Sequence, residues 1–326
     1  MPLKPENSIH AEQIIAGIQG RKVGHAFESQ LADKINSMNL QDIINRNIIN
    51  KNVFTGDPAK LLLNYIIKKY NIKKLNNFKA ISTGDLATSE TGKKILEING
   101  VYFNKCKSDL ILSINNQILG ELIFGVSIKQ CNNIIPTNAQ LYFTTASAFH
   151  KLLNDNNIYL SNTSKIALMQ FCGDKDYRPC DVMENKNRAI DPRRYFWEEI
   201  NSHGRIELEE CFSKYQKEIS KLLFQKAYLN DQFVPDLLLH KTKKAENWDA
   251  TEVAIFTIDE LIEKSYNYKR FELKEYSVLK GRYKDPPNYF KHLAPRFGII
   301  QMQRGGQAQH PTQLQFNLEA GYFYHI

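Results

Sequence analysis

The chain has 326 residues, 42% of them hydrophobic, with a formal net charge of +8 and a pI near 9.0. It is long enough to bury a large core, and its basic balance suits a polyanionic partner. Five cysteines at 106, 131, 172, 180 and 211 form neither a CxxC pair nor a Cys/His zinc spacing, and they read as reduced thiols of a cytosolic protein. Residues 10–38 read as one long helix in which Val23, Phe27, Leu31 and Ile35, spaced four apart, share a face, with Glu28 beside it. Residues 39–80 read as polar and helical, an insertion or an oligomer surface, where Asp57 caps and Pro58 opens a helix. The stretch 82–94, rich in Ser, Thr and Gly, reads as a loop, and 95–103 as a strand.

Residues 108–114 and 118–130 are strand-length apolar runs separated by Asn115-Asn116-Gln117, the pattern of a hairpin. Alternation then sends Val126 and Ile128 into the core and projects Ser127 and Lys129 together on the other face. Beyond a loop at 131–140, residues 141–155 read as a helix and 165–173 as a buried strand. That strand runs into a charged turn carrying Asp174 and Asp176. Residues 191–227 read as helical, 240–244 as a solvated linker and 253–258 as a final core strand. Alternating strands and helices predict an α/β fold with a mixed central sheet. No signal peptide or long apolar span is seen, so the expectation is a protein of the cytoplasm that engages no membrane.

The carboxyl end has a second pattern. Residues 297–303 and 312–318 alternate strictly, with Gln301 and Gln303 on one face of the first run and Gln313, Gln315 and Asn317 on one face of the second. The predicted product is a two-stranded ribbon with an apolar back and an amide front, and Arg304, Gly305, Gly306 and Gln307 at its tip. Such a ribbon fits the DNA major groove, where Gln bonds adenine and Arg bonds guanine. Upstream, Lys280, Arg282, Lys284, Lys291 and Arg296 interleave with Tyr283, Tyr289 and Phe290, a mixture suited to phosphate contacts.

The chemistry concentrates at Lys107-Ser108-Asp109 and Ser127-Ile128-Lys129. An acid at the start of one strand and a lysine on the next suit a hard cation held against a phosphodiester, with the lysine positioning water. No HExxH, GxSxG, Walker loop or GxGxxG competes with this site.

Ser108-Asp109 followed by Ser127-Ile128-Lys129 resembles the motif of the PD-(D/E)xK nuclease superfamily, and within it the type II restriction endonucleases. Two departures stand out: Ser108 replaces the proline, and Ser127 replaces the second acid with a neutral hydroxyl. The Gly24…Phe27-Glu28 helix is similar to the superfamily's first helix, whose glutamate helps bind metal. The resemblance therefore implies a site of Asp109, Lys129, Glu28 and Ser127. Asp109, Glu28 and the Ile128 carbonyl would hold Mg²⁺, with Asp174 or Asp176 as rival sources of the second carboxylate. The resemblance spans roughly residues 20–155; the pattern of the remainder extends the reading to a restriction-endonuclease-like core over residues 1–238, the helical insertion at 39–80 included, and a C-terminal recognition region over 239–326. The implied activity is site-specific, Mg²⁺-dependent hydrolysis of double-stranded DNA to 5′-phosphate ends, in a homodimer of the bacterial cytoplasm. Gln301, Gln303, Arg304, Gln307, Gln313, Gln315, Lys284 and Arg296 would contact the DNA. Because Ser127 replaces an acid, a binding module that has lost the chemistry is the alternative, and a regulatory partner of acidic proteins is a third reading.

Overall fold

The computed structural model describes residues 8–43, 52–84, 86, 95–186, 191–226, 231–268, 274–277, 291–304 and 312–326. In chain order, α1 (Ser8–Asn36) is followed by β1 (Val53–Gly56), α2 (Pro58–Lys69), β2 (Leu75–Ser82), β3 (Leu96–Ile98), β4 (Val101–Phe103), β5 (Leu110–Asn116), β6 (Gly120–Gln130) and β7 (Ala139–Thr145). Then come α3 (Ala146–Asp155), α4 (Asn162–Cys172), α5 (Ser202–Lys214), α6 (Gln216–Gln225), β8 (Leu237–Lys241), β9 (Thr251–Thr257) and α7 (Ile258–Tyr268). Four short strands, β10 (Lys274–Ser277), β11 (Lys291–Ala294), β12 (Arg296–Phe297) and β13 (Ile300–Arg304), lead to β14 (Gln313–Leu318). These elements form two compact units, each drawn from three separate stretches of chain.

The unit of Ile15–Ala139, Phe224–Leu261 and Ala320–Ile326 is built on a six-stranded sheet of order β1-β9-β8-β6-β5-β2. Only the β6–β8 pair among these is parallel, so the sheet is mixed and flanked by helices, the α/β class expected. Strict alternation on β5 and β6 buries Leu110, Leu112, Ile114, Phe124, Val126 and Ile128 on one face. That face joins Phe27, Leu31 and Ile35 of α1 and Leu62, Leu63 and Ile66 of α2 in one core. Val23, a turn earlier on the same α1 stripe, is 48% exposed, so the apolar stripe begins to be used at Phe27. Asp57 caps α2 by accepting from Ala59 N at 2.8 Å, with Pro58 in the first turn as expected.

The stretch 39–80 is not a helical insertion. It supplies both edges of the central sheet, β1 and β2, around α2, while residues 44–51 lie outside the described set. Its polar residues suit edge strands, where one side meets no neighbour. Residues 95–103 are likewise not one strand but the hairpin β3–β4, turned at Asn99-Gly100 with φ of 52° and 76°. Asn-Gly adopts positive φ at both positions with little strain, which makes it a strong two-residue hairpin signal. The segment 240–244 is not a solvated linker: His240 and Lys241 complete β8, and His240 and Thr242 are buried. The boundary expected at 238/239 falls inside that same strand.

The second unit comprises Met1–Ile14, Gln140–Leu223 and Ile262–Glu319. Its four-stranded sheet has the order β12-β13-β14-β7, and an aromatic core of Phe149, Phe212, Phe297 and Phe316 packs on it. Residues 141–155 split into the end of β7 and α3, because Thr145 caps the helix by accepting from Ala148 N. Residues 165–173 are helical rather than a strand. Ala167, Leu168, Phe171 and Cys172 are buried at helical spacing, Ser161 caps the start, and Gly173 closes the end at φ 76°. Among the described residues of 191–227, helix is confined to α5, α6 and a 3-10 turn at Trp197–Glu199.

Candidate active site

Asp109 enters β5 with its backbone already paired: its N–H donates to Val126 O at 2.9 Å and its O accepts from Thr83 N at 3.1 Å. Its carboxylate is turned onto β6. There Oδ2 accepts from Ile128 N at 2.6 Å and from Ser127 Oγ at 3.3 Å. Lys129 Nζ stands 3.4 Å from the same oxygen and donates to Ile128 O at 3.0 Å. The hairpin expected from sequence therefore places Asp109, Ser127 and Lys129 at one spot, with Ile128's side chain in the core and its two backbone polar groups in the cluster.

Glu28 approaches from α1. It is 7% exposed, and His25, one turn earlier, puts Nδ1 3.2 Å from its Oε2. Burial raises the Glu28 carboxyl above its ordinary value, and the negative charge of Asp109 raises it further, while His25 and Lys129 pull the other way. Glu28 thus lies within electrostatic reach of both Asp109 and Lys129. The link runs through Thr83, whose hydroxyl also donates to Ser108 O, and through the next residue, Gly84. A Cβ built on Gly84 would stand 2.3 Å from His25 Nδ1 and 2.5 Å from Glu28 Oε2. Gln130, next to Lys129, reaches α1 as well: its Nε2 is 3.7 Å from a Cβ built on Gly24, and Glu28 Oε1 is 4.0 Å from the same point.

We expect Gly84→Ala to displace the Glu28 carboxylate while leaving the core intact. Melting temperature should change little, and any metal-dependent activity should fall about tenfold or more. An unchanged rate would show that the Glu28 position does not matter.

Two groups beside the site have no role assigned from the sequence. Lys107, two residues before Asp109, is pushed down to about 8, first by burial and then by the charge of Lys129. Its N–H donates to Asp231 Oδ2 at 2.6 Å. His240 lies beside Lys129 in the parallel β6–β8 register, and burial pushes it down to about 3, so it stays neutral. The place of His240 follows from the β6–β8 pairing, which a linker at 240–244 does not anticipate.

Oxygen donors dominate the cluster: two carboxylates, the Ser127 hydroxyl and the Ile128 carbonyl. Among the described residues no three His, Cys, Asp or Glu side chains converge as a complete metal cage. Two carboxylates that repel each other nevertheless form the arrangement a hard divalent cation relieves. Mg²⁺ commonly takes one or two carboxylates and fills its other positions with water and phosphate oxygens. The donor set fits such an ion. The rival acids, Asp174 and Asp176, lie on the turn after α4 in the other unit, where burial raises Asp174.

In the second unit the amide row is formed. Gln301 pairs with Asn317 and Gln303 with Gln315 across β13–β14. Gln303 Nε2 donates to Gln301 Oε1, and Asn317 Nδ2 to Gln303 Oε1, each at 3.0 Å. Gln303 is exposed, whereas Gln301, Gln313 and Gln315 are half-buried. The ribbon is not isolated, because β12 and β7 extend it to four strands. Arg296 and Arg304, expected on a DNA-facing surface, point inward. Arg296 is ion-paired to Glu319 and donates to Gly298 O at 3.3 Å. Arg304 donates to Tyr195 O at 2.9 Å, with its guanidinium 4.4 Å from the Phe196 ring centre. The Arg304 guanidinium, with a carbonyl and an aromatic ring as partners, is held inside the fold, whereas Arg296 bonds through Nη2 and keeps Nε and Nη1 buried without a hydrogen-bond partner among the described residues. Gln307, Lys284 and the basic-aromatic stretch around Lys284 lie outside the described residues.

No protein-family model matches this chain, and no curated protein does. Among solved structures it is similar to the restriction endonuclease MspI in complex with its cognate DNA, at 12% identity and a TM-score of 0.45, over 85% of this chain and 82% of that one. No helix among the described residues is long and apolar enough to cross a membrane.

Proposed function

We propose that this chain is a Mg²⁺-dependent endodeoxyribonuclease of the type II restriction class, cutting double-stranded DNA at specific sites to leave 5′-phosphate ends. The observation that carries this reading is the Asp109 carboxylate, fixed by Ile128 N and Ser127 Oγ with the Lys129 ammonium 3.4 Å away. Asp109, Glu28 and the Ile128 carbonyl would hold the ion, which when bound supplies Lewis-acid stabilisation of the attacking and leaving oxygens. Ser127 orients Asp109 instead of acting as a second acid. Lys129 orients the attacking water and offsets the charge that develops on the phosphorane. Water oxygen joins phosphorus as the bond to the 3′-oxygen breaks, leaving a 5′-phosphate and a 3′-hydroxyl. Gln301, Gln303, Gln313 and Gln315 read base edges, with Gln307 and Lys284 completing the contact, and by family analogy two copies act on a palindrome.

Ser127 also favours a second reading, a nuclease-fold module that binds DNA without cutting it. A supercoiled plasmid incubated with and without Mg²⁺ separates the two. Discrete metal-dependent bands are expected; intact plasmid that is nevertheless retarded in a gel shift would leave only the binding module.

A further inference from the structure

The loop between β6 and β7 holds two neighbouring isoleucines in the open. Ile134 and Ile135 are 81% and 75% exposed, and Pro136 follows them. Single exposed apolar residues are ordinary, but an adjacent branched pair on a fixed mount asks for a partner. Here both stems of the loop are pinned. Cys131 N donates to Lys241 O at 2.8 Å, Lys244 N to Asn133 O at 2.7 Å, and Ala320 N to Asn138 Oδ1 at 2.7 Å. Lys241 Nζ holds Asn132 Oδ1 at 2.9 Å, and the buried Cys131 thiol sits 3.4 Å from Thr137 Oγ1. These bonds fix both ends of the loop on either side of the two isoleucines.

Charge says what the partner is. No acidic residue occurs between Glu121 and Asp155, a stretch spanning most of β6, the loop and β7. Lys241 and the exposed Lys244 stand at the loop's base, and Lys243 between them is ion-paired to Glu252 at 3.0 Å. A second copy of the chain would bring Lys241 and Lys244 against themselves, which like charge disfavours. Duplex DNA meets both features: lysines reach phosphates while an apolar tip enters between base pairs.

We propose that Ile134 and Ile135 form a wedge that unstacks one base step of duplex DNA close to the bond presented to Lys129. Ile134 lies five positions beyond Lys129, a span of at most about 17 Å, or about five base pairs along the helix axis. This inference rests on the nuclease reading above.

The test is topological and does not depend on cleavage. Full-length protein is bound to supercoiled plasmid in EDTA, the plasmid is relaxed with a metal-independent type I topoisomerase, and the linking number is read after deproteinisation. Wild-type protein is expected to shift the linking number. The double variant Ile134→Ser, Ile135→Ser should keep plasmid binding within about twofold, since phosphate contacts dominate it. It should lose the linking-number shift and cut about tenfold more slowly in Mg²⁺. Equal linking numbers for bound wild type and bound variant would overturn the wedge and leave the nuclease standing. Failure of the wild type to bind plasmid at all would overturn the nuclease reading too. A changed sedimentation coefficient for the DNA-free variant would make the pair a self-association surface instead.

Discussion

Lys129→Ala is expected to slow Mg²⁺-dependent plasmid cleavage by about a thousandfold while DNA retention in a gel shift changes by no more than about twofold. The separation of the two effects follows from how the neighbouring groups are held. Asp109 keeps its carboxylate in place through Ile128 N at 2.6 Å and Ser127 Oγ at 3.3 Å, neither of which involves the lysine. Nothing close by replaces the lost cation at the same point. His240, the cross-strand neighbour, is driven down to about 3 by burial and stays uncharged at any working pH. Lys107 remains, but its side chain starts from the residue before Ser108 rather than from β6, and its backbone is tied to Asp231. One ammonium near a phosphate contributes little to an affinity spread over many contacts. The same ammonium aimed at charge that develops only during the reaction contributes most of its effect to rate. Undiminished cutting by the variant would remove Lys129 from the mechanism, and a parallel loss of binding and cutting would make it a binding group alone.

The legible and illegible parts of this fold divide along one physical line. The hairpin was readable because everything that determines it is local: apolar residues at period two, interrupted by Asn115-Asn116-Gln117, realised as β5 and β6. Ser127 and Lys129 inherited their common face from that alternation. What depends on distant chain was not readable. The helix-favouring stretch 58–69 drew its flanks into the same reading, although Val53–Gly56 and Leu75–Ser82 become strands by pairing with β9 and β5. The positive charge of Arg296 and Arg304 suggested a surface, but their partners Glu319 and Tyr195 lie elsewhere in the sequence. Residues 165–173 were a short apolar run of the kind that periodicity alone assigns poorly, and the deciding signals were the Ser161 cap and Gly173 beyond its end. The interleaving of the two units left no linker composition to read, since each is assembled from three stretches. Glu28 shows the same division within the site. Its place beside a helix stripe was local information, whereas its burial depends on Gly84 and the turn after β2 closing over it.

That burial gives the Glu28 carboxylate a stability cost that can be measured without any substrate. Glu28→Gln is expected to raise the melting temperature in metal-free buffer at neutral pH, by about 2 °C or more. In the folded protein the Glu28 carboxyl is raised above its ordinary value of 4.5, by burial first and by the charge of Asp109 second. The folded state therefore holds that proton more tightly than the unfolded chain does. Its contribution to stability is full below the unfolded value and is lost as pH rises through the raised folded value, beyond which an ionised Glu28 burdens the fold. Gln carries no charge at any pH, so the advantage of the variant should vanish near pH 4 and grow toward pH 7. Mg²⁺ reverses the comparison. A cation held by Asp109 and Glu28 binds only the folded chain, so it should raise the wild-type melting temperature with concentration. With one carboxylate gone, the variant should show little of that rise and cut at least about a hundredfold more slowly. A Glu28→Gln protein less stable than wild type in EDTA at pH 7 would mean the carboxylate serves the fold. A Mg²⁺-induced rise equal to that of wild type would place the ion elsewhere.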